Sequence, residues 1–243
     1  MESGRRQVLK GITIYGAGFL LSGFVTGEEA AGKEEKKDKE KEEQEVTATE
    51  DLMREHGVLR RALLVYSETI PALGTKASPV VPEMLQRTAR LFRAFGEDYH
   101  EKKLEEAYIF PALKKTGGPA SGLTDILIEQ HRRGREITDY ILAVTQSEKL
   151  ETKTIAPLKK VLESFVLMYR NHAAREDTVV FPAWKKTLGP RELDEMGDKF
   201  EEIEHQQFGG DGFDKAVREI SSIERVLGFS DLAHFTAPPL PRR

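Results

Sequence analysis

Apolar residues recur at helical spacing along the chain from Ala48 onward. In the first such stretch one side of a helix carries apolar residues and a single histidine, with steps of four and three residues. The members of this stripe are Leu52, His56, Leu59, Leu63, Tyr66 and Ile70. That spacing is typical of a helix with one buried face, and no segment shows the alternation expected of a strand. The pattern therefore predicts an all-α protein.

The same spacing predicts three further long helices. The second runs from the Pro79/Pro82 region to about Lys115, the third passes through Leu127 and Ile141, and the fourth covers about 154–187. Four long helices with short connections predict an up-down-up-down four-helix bundle. Beyond the bundle we expect additional short C-terminal helices over about 191–208 and 213–227, followed by a Pro-rich tail.

The charge distribution divides the chain of 243 residues into four parts. Residues 28–45 contain 14 charged residues and no large apolar one, which is typical of a solvated linker, although an isolated charged helix would have the same composition. The predicted domains are an export signal or anchor (1–27), a charged disordered linker (28–46), the four-helix bundle (47–188) and a C-terminal helical extension with its tail (189–243).

The N-terminal segment predicts export from the cytoplasm. Gly4-Arg5-Arg6-Gln7-Val8-Leu9-Lys10 resembles the twin-arginine motif, and an uncharged stretch over 11–27 follows it. We expect the twin-arginine export machinery as a partner and a location in the periplasm or on the outer face of the cytoplasmic membrane. Because no clear cleavage site appears, residues 11–27 could instead remain as a membrane anchor.

Composition excludes several classes of function. The chain contains no cysteine, which excludes disulfides, thiolate metal sites and cysteine nucleophiles. A formal net charge of -4 gives no electrostatic reason to expect nucleic acid as a partner. No nucleophile triad, phosphate-binding loop or zinc-protease motif is present, so the sequence predicts no catalytic residue.

Two similar strings carry the strongest chemical indication. His100 precedes Glu105 and Phe110-Pro111-Ala112, and His172 precedes Glu176 and Phe181-Pro182-Ala183. In both strings the carboxylate lies five residues before the phenylalanine. His172 and Glu176 are four residues apart, so both project from one face of a helix. Histidine with glutamate on two helices predicts a metal centre.

Histidines at His56 and His131 add one imidazole from each of the two other helices. A single histidine on an apolar face is usually a core residue satisfied by a backbone carbonyl. Four in one core would leave buried polar atoms unmatched unless they share a partner. Six nitrogen and oxygen ligands exceed what one tetrahedral zinc ion takes and suit two ions. Mixed ligation of this kind favours iron, with manganese or zinc as alternatives.

The order His56, His100 with Glu105, His131, His172 with Glu176, together with Phe-Pro after both His/Glu helices, resembles the hemerythrin-like (HHE cation-binding) domain over roughly 48–187. The resemblance implies a four-helix bundle around a non-haem di-iron centre that meets O2, NO or peroxide. It also implies two iron ions as the cofactor and a set of metal ligands with Glu105 and Glu176 as bridges. This set is His56, His100, Glu105, His131, His172 and Glu176.

The chain departs from the family's oxygen carriers in two ways. Arg135 stands where the carriers have a second histidine on the third helix, and Arg60 follows His56 by one turn. Either arginine could pair with Glu105, Glu176 or a neighbouring carboxylate, or remain solvated. In addition, His100 and Glu105 are five residues apart, about 140° around a regular helix. We therefore predict a π-bulge between them, whereas a regular helix would leave Glu101 or Glu106 as the ligand.

These features predict a metal-binding protein that binds or senses O2, NO or peroxide, or handles iron, outside the cytoplasm. One alternative is an oxidase or peroxidase on the same centre, for which Tyr99, Tyr108 or Tyr169 would be the proton donor. Another is a structural bundle with incidental zinc. His205, which follows Glu201 by one turn, fits a surface amphipathic helix better than a further metal site.

Overall fold

In the computed structural model, residues 46–75, 81–147 and 149–241 are described, and all of their regular structure is helical. The predicted export signal and most of the predicted linker lie outside these residues. The helices are α1 (Ala48–Thr69), α2 (Val81–Leu91), α3 (Phe110–Thr116), α4 (Ser121–Val144), α5 (Thr152–Arg175), α6 (Phe181–Lys185), α7 (Pro190–Phe208) and α8 (Gly212–Leu227). The all-α prediction is confirmed.

Two π-helices join α-helical segments into longer rods. Residues Phe92–Ile109 link α2 to α3, and Glu176–Val180 link α5 to α6. Helix α1, the rod 81–116, helix α4 and the rod 152–185 therefore form four long elements, close to the lengths predicted from spacing. Short 3-10 turns at Ile70–Ala72 and Leu232–Phe235 complete the helical structure. Within the described residues, no helix has the length and apolar content needed to cross a membrane.

Local sequence explains where the helices begin and end. Thr47 caps α1, because its hydroxyl accepts from the Glu50 amide while the Glu50 carboxylate accepts from the Thr47 amide. Pro111 and Pro182 each lie in the first turn of the α-helix that follows a π-helix, where a missing amide hydrogen costs least. Gly209 and Gly228 end α7 and α8 in the left-handed conformation that glycine adopts without strain.

The four long elements bury one face each in a shared core of aliphatic and aromatic side chains. Helix α1 packs on α5, and α4 packs on α5 and on the rod that contains His100. Helix α8 covers α1 and α2, where Arg61 pairs with Glu224 and Arg87 pairs with Glu219. The core is aromatic near α5, with Phe92, Phe165 and Tyr169 in edge contacts. This packing fixes the rotation of each helix and so determines which residues face the interior.

Candidate metal centre

Four long helical elements each bring one histidine into the same region of the core. His56 is on α1, His100 on the long π-helix, His131 on α4 and His172 on α5, and all four are buried. The carboxylates of Glu105 and Glu176 lie among them and are fully buried. All six residues predicted from the sequence are thus brought together. Within the described residues, this cluster supplies the groups best placed to hold a metal ion.

The imidazoles form two pairs through their Nε2 atoms. His56 Nε2 lies 3.0 Å from His100 Nε2, and His131 Nε2 lies 3.1 Å from His172 Nε2. Two nitrogens bound to one metal at about 2.1 Å and at right angles would be about 3.0 Å apart. Both observed separations therefore fit two imidazoles that share an ion.

Each glutamate faces both histidine pairs. The two oxygens of Glu105 lie 3.4 Å from His100 Nε2 and 3.3 Å from His131 Nε2. Those of Glu176 lie 3.5 Å from His56 Nε2 and 2.9 Å from His172 Nε2. None of the four oxygens has a hydrogen bond within the described protein. Buried carboxylates without hydrogen bonds are strongly destabilising unless a cation neutralises them, so these residues fit a metal.

The outer ring nitrogens explain why the Nε2 atoms face inward. Each Nδ1 donates to a side-chain oxygen of a different helix: His56 to Asp177 (2.7 Å), His100 to Glu55 (2.6 Å), His131 to Glu106 (2.9 Å) and His172 to Gln130 (2.8 Å). A histidine that donates from Nδ1 presents the Nε2 lone pair, and such partners orient metal-binding histidines. Without a metal cation or added protons, the two nitrogen lone pairs of each Nε2 pair would face and repel each other.

These four partners were missed by sequence reasoning, although a common signal precedes them. Each is the immediate chain neighbour of a residue in the cluster, in the doublets Glu55-His56, Glu105-Glu106, Gln130-His131 and Glu176-Asp177. One member of each doublet faces the centre, and the other binds a histidine of the neighbouring helix. The hydrogen bonds run from α1 to the long π-helix, to α4, to α5 and back to α1. The ring ties all four elements together around the centre.

The long π-helix resolves the spacing of His100 and Glu105. Its hydrogen bonds join residues five apart, so side chains five apart share a face. The prediction of π geometry here is confirmed, and the segment is longer than the local bulge that we expected. The Phe110 amide donates to the Glu105 carbonyl, and the Phe181 amide donates to the Glu176 carbonyl. Both Phe-Pro sequences therefore end a π segment five residues after a glutamate of the cluster.

Arg60 and Arg135, the two arginines noted in the sequence, pair with carboxylates outside the proposed ligand set and do not pair with Glu105 or Glu176. Arg60 binds Asp177, and Arg135 binds Glu101 and Glu106. Glu101, Glu106 and His131 could by themselves form a third metal group. The Arg135 guanidinium already pairs with both of its carboxylates. Arg135 thus supports the outer partner of His131 from the position at which oxygen carriers have a histidine.

A small cavity adjoins the cluster on one side and has room for about one water-sized molecule. Its apolar walls include Leu59, Leu63, Phe92 and Ala173. Its polar lining residues outside the cluster are Arg60, Glu101 and Tyr169. The Tyr169 hydroxyl donates to Glu101 Oε1 at 2.7 Å. A Cβ atom at position 134 would lie 2.0 Å from that hydroxyl, so Gly134 is required for Tyr169 to reach Glu101.

The other candidate residues have separate roles. Tyr99 donates to Glu55 at 3.1 Å and so supports the partner of His100. Tyr108 packs on Phe200, outside the cavity lining. His205 is exposed on α7, as the surface-helix interpretation predicted, and its carbonyl accepts from the Gly209 amide that ends the helix.

A further buried carboxylate lies one turn before His100 on the long π-helix. Glu97 accepts from the Thr138 hydroxyl and pairs with Arg93 Nε at 2.9 Å. Burial and repulsion from Glu101 raise the pKa of Glu97 to about 8, although Thr138 and Arg93 act in the opposite direction. Its proton is therefore retained in the folded protein well above the pH at which an exposed glutamate ionises.

We expect Glu97→Gln to stabilise the protein selectively at alkaline pH. The unfolded chain releases this proton near pH 4.5 and the folded protein near pH 8. The unfolding free energy of the wild type therefore falls between these values, at up to about 1.4 kcal/mol per pH unit. The glutamine cannot ionise and avoids this loss. Between pH 6 and pH 9, the unfolding free energy of the variant relative to that of the wild type should rise by about 2.7 kcal/mol, as measured by denaturant unfolding at both pH values. A difference that is equal at both pH values would contradict the pKa assignment.

Comparison with known proteins agrees with this arrangement. The model of the hemerythrin HHE cation binding domain matches residues 47–184, which include the whole cluster. Uncharacterized proteins of Mycobacterium bovis and Mycobacterium tuberculosis are each 39% identical over 235 residues, which cover 96% of this chain and 91% of the relative. No solved structure matches the chain significantly. The chain belongs to the hemerythrin HHE cation-binding family.

Proposed function

We propose that this protein is a non-haem di-iron protein that binds or senses a small ligand, O2, NO or peroxide, outside the cytoplasm. The observation that carries the proposal is the convergence of four inward-facing Nε2 atoms on four carboxylate oxygens without hydrogen bonds. Such a donor set, with nitrogen and oxygen but no sulfur, suits iron, and manganese or zinc remain chemically compatible.

The proposed ligands divide evenly between two ions. His56 and His100 would hold one ion, and His131 and His172 the other. Glu105 and Glu176 would each offer one oxygen to each ion, as their distances to the two histidine pairs support. Two nitrogens and two oxygens per ion leave coordination positions free for a further ligand. Bound iron would supply these open positions and a change of oxidation state.

The adjoining cavity supports a ligand of very few atoms. It borders both proposed ions through His56, His100 and His172, and its remaining walls are largely apolar. A space for about one water-sized molecule excludes organic substrates from direct contact with the centre. A diatomic molecule or peroxide matches its size. The same cavity distinguishes this proposal from iron storage, which would need no enclosed ligand space.

Addition of NO to anaerobic, Fe(II)-loaded protein tests this proposal. NO binding to iron should produce new visible absorption with a stoichiometry fixed by the number of open ions. Zinc-loaded protein is the control, because zinc has no redox chemistry. An absence of NO binding to protein that contains two iron ions would contradict ligand binding. Preferential zinc binding with no response to any of these ligands would support a structural bundle with incidental zinc.

A second candidate function, an oxidase or peroxidase on the same centre, is favoured by the Tyr169–Glu101 pair in the cavity. A peroxidase needs a proton donor near the open position, and Tyr169 is the tyrosine that lines this space. Turnover of peroxide with a reductant would establish the enzyme, and Tyr169→Phe should then slow it at least tenfold. Tyr108→Phe is the matched control, since Tyr108 lies outside the cavity lining. Stoichiometric reaction without turnover would leave the binding function.

We further propose that the helices form an up-down-up-down bundle. The ring of hydrogen bonds from α1 through the long π-helix, α4 and α5 back to α1 supports this order of helices.

We also propose that the twin-arginine machinery exports the folded, metal-loaded protein. Replacement of Arg5 and Arg6 by lysine should retain the protein in the cytoplasm. Cell fractionation of the wild type would also show whether residues 11–27 anchor it to the membrane. Export that is unaffected by the double replacement would contradict this route.

A further inference from the structure

A surface recess lies between α1 and α5, on the side of the small cavity that adjoins the cluster and that we call the ligand cavity. Its walls are three arginines and three apolar residues, namely Arg60, Arg61, Leu63, Leu64, Arg170 and Ala174. Among the described residues, no carboxylate belongs to this lining. The recess therefore offers guanidinium groups around an apolar floor, a combination that favours small anions over cations.

The charges around the recess do not cancel. Arg60 pairs with Asp177 and Arg61 pairs with Glu224, and neither carboxylate belongs to the recess lining. Arg170 is exposed, and its guanidinium contacts the Ser67 hydroxyl at 3.3 Å. In the described part of the chain, Arg170 has no carboxylate within ion-pair distance. Three positive charges against two negative ones leave one guanidinium uncompensated at the surface.

The recess and the ligand cavity have two lining residues in common. Arg60 and Leu63 line both spaces, and the cavity continues from them to His56, Glu105 and Glu176. A different recess, between α4 and α5, reaches the cluster only at His172 and carries Arg175. Of the two recesses, the first shares more of its lining with the cavity, so it is the better candidate for a route from solvent.

We propose that the arginine recess is an entry site to the metal centre and that it favours small anions over neutral molecules. This inference rests on the proposed ligand-binding function and adds small anions to its ligands, since O2, NO and, at neutral pH, hydrogen peroxide carry no charge. A fixed positive surface raises the local concentration of anions and speeds their association. Because Arg170 has no carboxylate partner among the described residues and does not line the cavity, it contributes to attraction without holding any metal ligand.

Association kinetics of azide and NO with the full-length, iron-loaded protein test the proposal. Azide is a small anion that binds to ferric iron, and NO is a neutral molecule of similar size that binds to ferrous iron. At low ionic strength, Arg170→Glu should slow azide association about fivefold, since it reverses one charge near the route. NO association should be unchanged. At 0.5 M salt the effect on azide should largely disappear, and Arg170→Lys should retain the wild-type rate.

Two further variants distinguish the effect of the shape of the entry route from the effect of its charge. Leu64→Trp narrows the recess away from the cluster and should slow both probes, whereas Arg175→Glu changes the other recess and should slow azide less than Arg170→Glu. Equal azide rates in wild type and Arg170→Glu, or a larger effect of Arg175→Glu, would overturn the proposal. Loss of NO and azide binding by all proteins, with iron present, would overturn the proposed function as well.

Discussion

Glu176→Ala is expected to reduce bound metal from two ions per chain to less than one. The two oxygens of Glu176 face different histidine pairs, at 3.5 Å from His56 Nε2 and 2.9 Å from His172 Nε2. The substitution therefore removes one ligand from each proposed ion. It also removes a negative charge that would offset two divalent cations in a buried site. Metal analysis after equilibration with a weak chelator measures the loss.

Glu204→Ala provides the matched control for this experiment. Glu204 is also a buried glutamate, but it lies on α7 and accepts from the Phe213 amide. Its replacement should lower stability by about 1–3 kcal/mol through the unsatisfied amide while leaving the metal content unchanged. Two ions bound to Glu176→Ala with wild-type affinity would contradict the assignment of this residue as a bridge.

Removal of the metal is expected to lower the melting temperature by about 10 °C. A ligand present at 1,000 times its dissociation constant stabilises the folded state by about 4 kcal/mol. For a domain of this size, each kcal/mol corresponds to about 2–4 °C. Without metal, the buried carboxylates lose the ions that would offset their charge, and the imidazoles lose their shared partner. Calorimetry of metal-loaded and chelator-treated protein compares the two states. Equal melting temperatures would contradict a metal centre in the core.

Metal uptake should also release protons. Burial lowers the pKa of His100, but Glu105 and Glu55 outweigh it and hold that pKa well above its usual value. Burial acts in the same way on His131, whose pKa Glu101, Glu105 and Glu106 raise. In the metal-free protein these protons stabilise the fold below the unfolded histidine value near pH 6.5, and that contribution is lost as pH rises through the folded pKa. The stability gap between metal-loaded and metal-free protein should therefore widen with pH.

Titration calorimetry in buffers of different ionisation enthalpy measures the proton release directly. The heat of metal binding should vary with the buffer, by an amount that gives the number of protons displaced. Binding heats that are independent of the buffer would show that the metal-free cluster is unprotonated. The lone pairs of each Nε2 pair would then have to face each other without a cation.

The residues of the cluster were predictable because each is marked by a pattern of residues that are close together in the sequence. A histidine on the apolar stripe of each helix must face the core, and the His-Glu spacing followed by Phe-Pro recurs in two helices. The spacing of His100 and Glu105 likewise indicates one extra residue in the helix. How far the wider helix extends depends on packing against neighbouring helices, so an 18-residue π segment was not predictable.

The outer partners depend on contacts between helices and were not predictable from spacing. Asp177 binds His56 across more than 100 residues of sequence, and Arg135 finds Glu101 and Glu106 on another helix. Only the relative rotation of two packed helices determines such pairs. Sequence showed that both arginines are one turn from a histidine of the stripe, and left open which carboxylate each would bind.

Metal analysis and optical spectroscopy of the Fe(II)-reconstituted protein test the central claim most directly. The account predicts two iron ions per chain, with little visible absorption under anaerobic conditions and new near-ultraviolet and visible bands on aeration. Reversal of those bands on degassing would favour a carrier or sensor over an oxidase. Protein that binds no transition metal after reconstitution would contradict the account, because the two buried carboxylates would then be offset by protonated histidines alone.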